Sequence, residues 1–365
     1  MSTKICLIPG DGIGIEVSKC AVDLIGALGL DWEVTEAQGG WECWKREGRV
    51  IPDSTWSSIE KSNAVLVGAT TSKPKEQALE ELPPDLRNKG LVYTSPIVQL
   101  RQKLDLYANV RPTYNSDGNL AFTVIRENTE GLYSGIDLGD VRGTSLESLV
   151  GSHKNVTRSD QGEGISAAVR LQTEFGMKRL LRFACRYALD RGLTNVTVAD
   201  KPNVLRESSS MLKRYVEDIS SEFPTVDFNI ENVDAVALWM ARRPEKYQVV
   251  VAENMFGDIL SDLAAGMNDG LGMAESANIG TGGCYFEPVH GSAPRLAGRG
   301  IANPMAMFLT VAEMSEYLGD NSTGGRIRRA VYKVRREGPV TYDLGGNAAT
   351  QDVARNVIKA VMVDE

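Results

Sequence analysis

The chain has 365 residues, enough for one large or two ordinary domains around a substantial core, and 42% apolar with 24% charged residues is the mix of a globular protein. A net charge of -8 argues against a nucleic-acid partner, which draws a basic excess. The sequence lacks an apolar run long enough for a membrane span, its start MSTKICLIPGDGIG reads as a strand entering a loop rather than a secretory leader, and Cys6, Cys20, Cys43, Cys185 and Cys284 form no CxxC pair, so reduced thiols and a cytoplasmic protein are expected.

Short apolar strands alternate with amphipathic helices. Lys4–Ile8 reads as a strand and Gly14–Leu28 as a helix. Ala64–Val67 and Leu120–Arg126 follow as strands, and Gly164–Arg191 as one long helical stretch. Asn195–Ala199 is a strand, Arg206–Ser221 a helix, Gln248–Ala252 a strand, and Ile259–Gly266 starts a helix. This alternation predicts an α/β fold with a largely parallel sheet. Gly- and Pro-rich loops are predicted at 113–118, 139–144, 270–283 and 288–300, long enough to suggest function.

Gly10, Gly12 and Gly14 invite a dinucleotide fingerprint, but its third glycine falls on Ile15. A tight strand-to-helix turn is the plainer reading, with backbone amides still free to face a cofactor. Arg101 and Arg111 lie in LRQKLDLYANVRP, and Arg126 ends an apolar strand before a polar turn. Guanidinium groups match carboxylates with a rigid two-pronged donor set, so three together would suit a di- or tricarboxylate. Asp258 and Asp262 are four apart on a predicted helix and share a face, where like charges repel unless a cation such as Mg2+ or Mn2+ sits between them. A solvated face is the alternative for this pair, and a helix cap for Asp234. Tyr133 and Lys201 are residue types that move protons when suitably placed, and each can equally be structural. The segment 287–304, EPVHGSAPRLAGRGIANP, has the small residues that let an extended ligand approach the backbone.

These segments, taken in order, resemble the β-decarboxylating dehydrogenases: the isocitrate, 3-isopropylmalate and homoisocitrate dehydrogenases. The resemblance runs through IPGDGIG, LRQKLDLYANVRP, RENTEGLY, DKPNVL, NMFGDILSD, EPVHGSAP…IANP and TYDLGG. It implies the two-domain fold of that family, not a Rossmann fold. Residues 1–108 and 270–365 would form a cofactor-side domain, and 109–269 a central domain with a dimer arm near 139–160. It implies that Arg101, Arg111 and Arg126 bind the malate carboxylates and that Asp258 and Asp262 hold Mg2+ or Mn2+ with the Asp234 of a second subunit. Lys201, also from the second subunit, would deprotonate the C2 hydroxyl, and Tyr133 would return a proton after CO2 leaves. Ile13, Asn203, His290, Gly291, Ser292, Ala293, Arg295, Leu296, Asn303 and Tyr342 would contact the nicotinamide cofactor. The site would be shared within a homodimer, with no nucleic-acid or membrane partner.

NAD-type members carry Asp-Ile after HGSAP or HGTAP, whereas this chain has Arg295-Leu296. Tyr342 also matches NADP-type isocitrate dehydrogenases, although Gly346 stands where they carry a second basic residue. NADP is therefore expected over NAD. Substrate choice is expected from Ser95, Ile97 and Val98 before Arg101. Ser95 matches isocitrate enzymes, Ile97 replaces their asparagine, and SPIV-x-LR is similar to some homoisocitrate dehydrogenases. The order of expectation is homoisocitrate, isocitrate, then 3-isopropylmalate, with a specialised 3-substituted malate such as a phosphonate analogue as a further reading. A non-catalytic regulatory subunit would have lost residues that are present here.

Overall fold

The computed structural model describes residues 2–158 and 164–363. Among the described residues twelve strands run in chain order: β1 Thr3–Gly10, β2 Trp32–Glu36, β3 Ala64–Ala69, β4 Ala108–Tyr114, β5 Leu120–Glu127, β6 Asp137–Leu138, β7 Ala167–Ala168, β8 Asn195–Asp200, β9 Asp227–Asn232, β10 Val249–Ala252, β11 Glu275–Ile279 and β12 Cys284–Pro288. Ten of them make one sheet in the order β2-β1-β3-β12-β11-β4-β5-β10-β8-β9, and β6 pairs with β7 apart from it. Its two flanks are parallel, while β12, β11, β4 and β5 are joined by antiparallel pairings at the centre. The expected α/β architecture with a largely parallel sheet is what forms.

Two expectations need correction. The helix read over Gly164–Arg191 spans Glu174–Asp190, because Thr173 caps it by accepting the Gly176 N–H at 2.9 Å. Ala167–Ala168 before it is extended and pairs with Asp137–Leu138. The loop expected at 270–283 contains β11, whose Ser276 and Asn278 deny it the apolar alternation of a half-buried strand. Of the arm expected near 139–160, residues 159 and 160 lie outside the described residues. The rest carries the short helices Glu147–Val150 and Lys154–Arg158.

Helices cover both sides of the sheet and divide its apolar contacts. The largest cluster includes Leu7, Val110, Leu180 and the helix Met305–Tyr317. Eleven of that helix's 13 residues are buried, as expected of a helix apolar on every side. A second cluster gathers Trp41, Trp44 and Tyr93 beside β1 and β3, and a third packs Val236, Met240 and Leu260 against β5 and β10. All five cysteines are free and buried. No described helix is long and apolar enough to cross a membrane.

Candidate active site

The central antiparallel strands set polar side chains in rows. Asn109 lies opposite both Asn278 and Arg126, and Tyr285 lies opposite Asn278. Side chains two apart on a strand share a face, so Asn109 with Arg111, Ser276 with Asn278, and Tyr285 with Glu287 extend these rows. The Asn109 amide donates to Ser276 Oγ at 2.6 Å and to Asn278 Oδ1 at 2.9 Å. Asn278 in turn donates to Glu287 Oε1 at 3.2 Å, which also accepts from Tyr285 at 3.0 Å. Burying so many amides is tolerable because their hydrogen bonds are largely made.

Three arginines are tied to this network. Arg111 Nε donates to Asn109 Oδ1 at 2.9 Å, and Arg101 Nε to the Tyr285 hydroxyl at 3.2 Å. Burial works against the charge on Arg101, but Tyr285 and Glu287 outweigh it and raise its pKa. Arg126 is buried and spans Asn254 and Asp258. Burial, reinforced by the repulsion of Arg101, brings its pKa down to about 10, so it stays charged near neutrality.

The helix Asn254–Met267 supplies the opposing carboxylates, and Glu253 caps its start by accepting the Phe256 N–H. Asp258 meets Arg126, lies 3.7 Å from Arg111, and accepts from the Tyr133 hydroxyl at 3.3 Å. Asp262, one turn on, pairs with Arg111 at 2.8 Å. Tyr133 is 53% exposed, and its phenol pKa is raised by partial burial and by Asp258. The structure therefore brings Arg101, Arg111, Arg126, Tyr133, Asp258 and Asp262 together.

Lys201, at the end of β8, and Asp234, in the first turn of the helix Val233–Arg242, form a separate pair. The Lys201 contact lowers the Asp234 pKa. Among the described residues, no group of three or more His, Cys, Asp or Glu side chains could hold a metal within one chain. Asp258 and Asp262 offer hard oxygen ligands on one helix face, which suits Mg2+ or Mn2+ once further ligands arrive from outside the chain. Asn203, near Lys201, is exposed.

A cavity of about 370 Å3 is lined by Ile13, Gly272, His290, Gly291, Ala293, Leu296, Ala302, Asn303, Tyr342 and Asp343. Ser292 lies behind this wall: its carbonyl accepts the Ile13 N–H at 2.9 Å, and its hydroxyl meets Thr71 at 2.7 Å. That Ile13 amide is therefore spent inside the protein rather than on a ligand. His290 Nε2 is buried without a partner, and burial lowers the imidazole pKa. Asn303 caps the Met305 N–H and donates to Asp343 at 3.0 Å. Asp343 also accepts from Thr341, so both its oxygens are engaged. A cavity with a partnerless ring nitrogen and mixed apolar and polar walls fits a nucleotide cofactor. Arg295 is exposed and lines neither this cavity nor the one adjoining it.

Ser95 precedes the helix Pro96–Lys103, makes no cap bond and keeps its hydroxyl free of other side chains among the described residues. Ile97 packs against the Trp41–Tyr93 cluster, whereas Val98 is exposed and shares a helix face with Arg101. Sequence reasoning missed Asn109, Asn254, Tyr285 and Glu287, which hold the arginines. The polar interruptions in ESANI and CYFEP were the available signal.

A family model described as isocitrate/isopropylmalate dehydrogenase matches residues 4–361. The chain is 46% identical over 360 residues to protein DlpA of Legionella pneumophila, covering 98% of this chain but 58% of that protein's length. It is 38% identical to the isocitrate/homoisocitrate dehydrogenase of Thermus thermophilus over 99% of each chain. The crystal structure of isocitrate dehydrogenase from Methylococcus capsulatus superposes with a TM-score of 0.82 at 35% identity, covering 98% of this chain and 99% of that one.

Proposed function

The chain belongs to the isocitrate/isopropylmalate dehydrogenase family of NAD(P)-dependent decarboxylating dehydrogenases, and from that premise we propose that it oxidises a 3-carboxy-2-hydroxy acid, homoisocitrate or isocitrate, with NADP and releases CO2. The observation that carries this reading is the gathering of Arg101, Arg111 and Arg126 about Asp258, with the Tyr133 hydroxyl on the same carboxylate.

The arginines bind the substrate carboxylates. Asp258 and Asp262 balance part of that charge beforehand, so incoming carboxylates take over contacts the aspartates hold. Asp258 and Asp262, with Asp234 of a second copy, would hold Mg2+ or Mn2+, while Asn203 and the residues of the His290–Asn303 loop would hold the cofactor. When bound, the cation would supply positive charge to the hydroxy acid and the nicotinamide would supply the hydride acceptor. Lys201 of the second copy takes the hydroxyl proton, and Tyr133 gives a proton to C3 once CO2 has left. The division into 1–108 with 270–365 and 109–269 would place this chemistry in a cleft that closes to exclude water.

Separation of the Lys201–Asp234 pair from the arginine cluster supports a homodimer with shared sites. NADP over NAD is supported by the lack of the NAD-type aspartate, whose position Arg295 takes, and by the engagement of both Asp343 oxygens. The free Ser95 hydroxyl, at the start of the helix that carries Arg101, suits a third carboxylate. Exposed Val98 instead favours a second reading, an apolar 3-substituent as in 3-isopropylmalate or a specialised malate.

The test is a panel of 3-substituted malates with NADP or NAD and Mg2+, read by reduced-cofactor absorbance. Homoisocitrate or isocitrate with NADP should give the highest kcat/KM. No turnover of any member by folded, cofactor-binding protein contradicts the substrate reading.

A further inference from the structure

A second cavity, of about 310 Å3, adjoins the first and shares Leu296 and Tyr342 with it. Arg299, Ile301, Asn347 and Ala348 complete its lining, so Arg299 is the one permanently charged side chain there. No described residue makes an ion pair or side-chain hydrogen bond with that guanidinium, although its backbone is fixed by a turn in which the Arg299 N–H donates to Leu296 O at 3.2 Å. Arg299 is exposed at the cavity rim, and a guanidinium there without a counter-charge is open to an anion. Arginine, a donor-only fork, matches phosphate oxygens best.

The loop that carries Tyr342 and Asn347 explains why the charge comes from Arg299. At Gly346, a Cβ atom would fall 2.0 Å from the carbonyl oxygen of Val340. The backbone cannot give way easily there, because the Gly346 N–H donates to Thr341 O and the Ala348 N–H to Val340 O, each at 3.0 Å. The loop thus excludes any side chain at the position where NADP-type isocitrate dehydrogenases carry their second basic residue. Tyr342 of that loop and Arg299 both line the cavity.

We propose that Arg299, rather than Arg295, supplies the charge that holds a phosphate monoester on the adenosine ribose, and so sets the preference for NADP. The inference rests on the NADP reading above, and the two can fail separately.

Calorimetric titration of the full-length protein with adenosine 2′,5′-bisphosphate and with 5′-AMP tests it without any substrate. Wild type should bind the bisphosphate about tenfold or more tightly than 5′-AMP, the size expected of a charge-assisted contact. R299A should shrink that ratio to about threefold or less while leaving 5′-AMP affinity in place, which shows an intact fold. R299K should recover part of the ratio, and R295A should retain most of it. If R299A keeps the wild-type ratio, or if R295A alone abolishes it, the assignment to Arg299 is overturned while the NADP preference stands. If wild type does not distinguish the two ligands, the NADP reading fails and this inference falls with it.

Discussion

One side-chain oxygen of Asn254 accepts both Nε and Nη2 of Arg126, at 3.0 and 2.7 Å, while the Asn254 amide donates to the Glu130 carbonyl at 2.8 Å. The Arg126 stem also lies against Gly257, where a Cβ would fall 2.6 Å from that of Arg126. Asn254 therefore fixes the direction in which Arg126 presents its remaining donors. N254A should raise the KM for the hydroxy acid about tenfold or more, cost roughly 1–3 kcal/mol of stability, and leave the KM for NADP nearly unchanged. A parallel rise in both KM values would show a general loss of structure instead.

Tyr133 is half-exposed and contributes little to the core, so Y133F should fold normally. Its kcat should fall by about 10²–10⁴, as for loss of a positioned proton donor, and K201M should behave alike. Mixing the two variants tests whether sites are shared. In a mixed dimer one site loses both groups and the other keeps both, so random reassortment should restore about a quarter of wild-type activity. Sites contained within one chain would show no restoration.

Arg328 holds three acids: Glu275, Glu313 at 2.5 Å and Glu316 at 2.9 Å. Negative charge is in excess, and burial pushes Glu275 up from 4.5 to about 7. The folded protein thus binds this proton more tightly than the unfolded chain. The resulting stability is full below about pH 4.5 and is lost as pH rises through about 7. E275Q mimics the protonated acid, so its stability relative to wild type should increase between pH 5 and pH 8 by roughly 1–3 kcal/mol. Urea unfolding at several pH values measures this. A pH-independent difference would contradict it.

Gly12 has φ +58°, and a Cβ there would fall 2.1 Å from the Ser292 carbonyl oxygen. G12A should strain both the turn and the wall behind the nucleotide cavity. Stability should drop by about 1–3 kcal/mol and NADP affinity should fall, with the metal requirement unchanged. Thermal unfolding with and without NADP reads both effects. Unaltered NADP affinity would separate this loop from the cofactor site.

Much of the fold was legible because strands such as Val249–Ala252 are continuously apolar and helices such as Arg206–Glu222 keep helical spacing. β11 was not, because its Ser276 and Asn278 serve the buried amide network and break the pattern by which strands are recognised. Arg126, Asp258 and Asp262 stood out by residue type and spacing. Their supports did not, since Asn109 and Asn278 are 169 residues apart and meet only when β11 lies against β4. Arg299 was hidden for another reason: Arg295 occupies the more suggestive position in sequence, and only the cavity walls tell the two apart.

The most direct test of the dehydrogenase reading follows released CO2 and reduced cofactor in one reaction, with the preferred 3-substituted malate, before and after chelation. The account predicts equal amounts of both products, about one each per substrate consumed, abolished by chelator and restored by Mg2+ or Mn2+. Reduced cofactor formed without CO2, or turnover that survives metal removal, would contradict it.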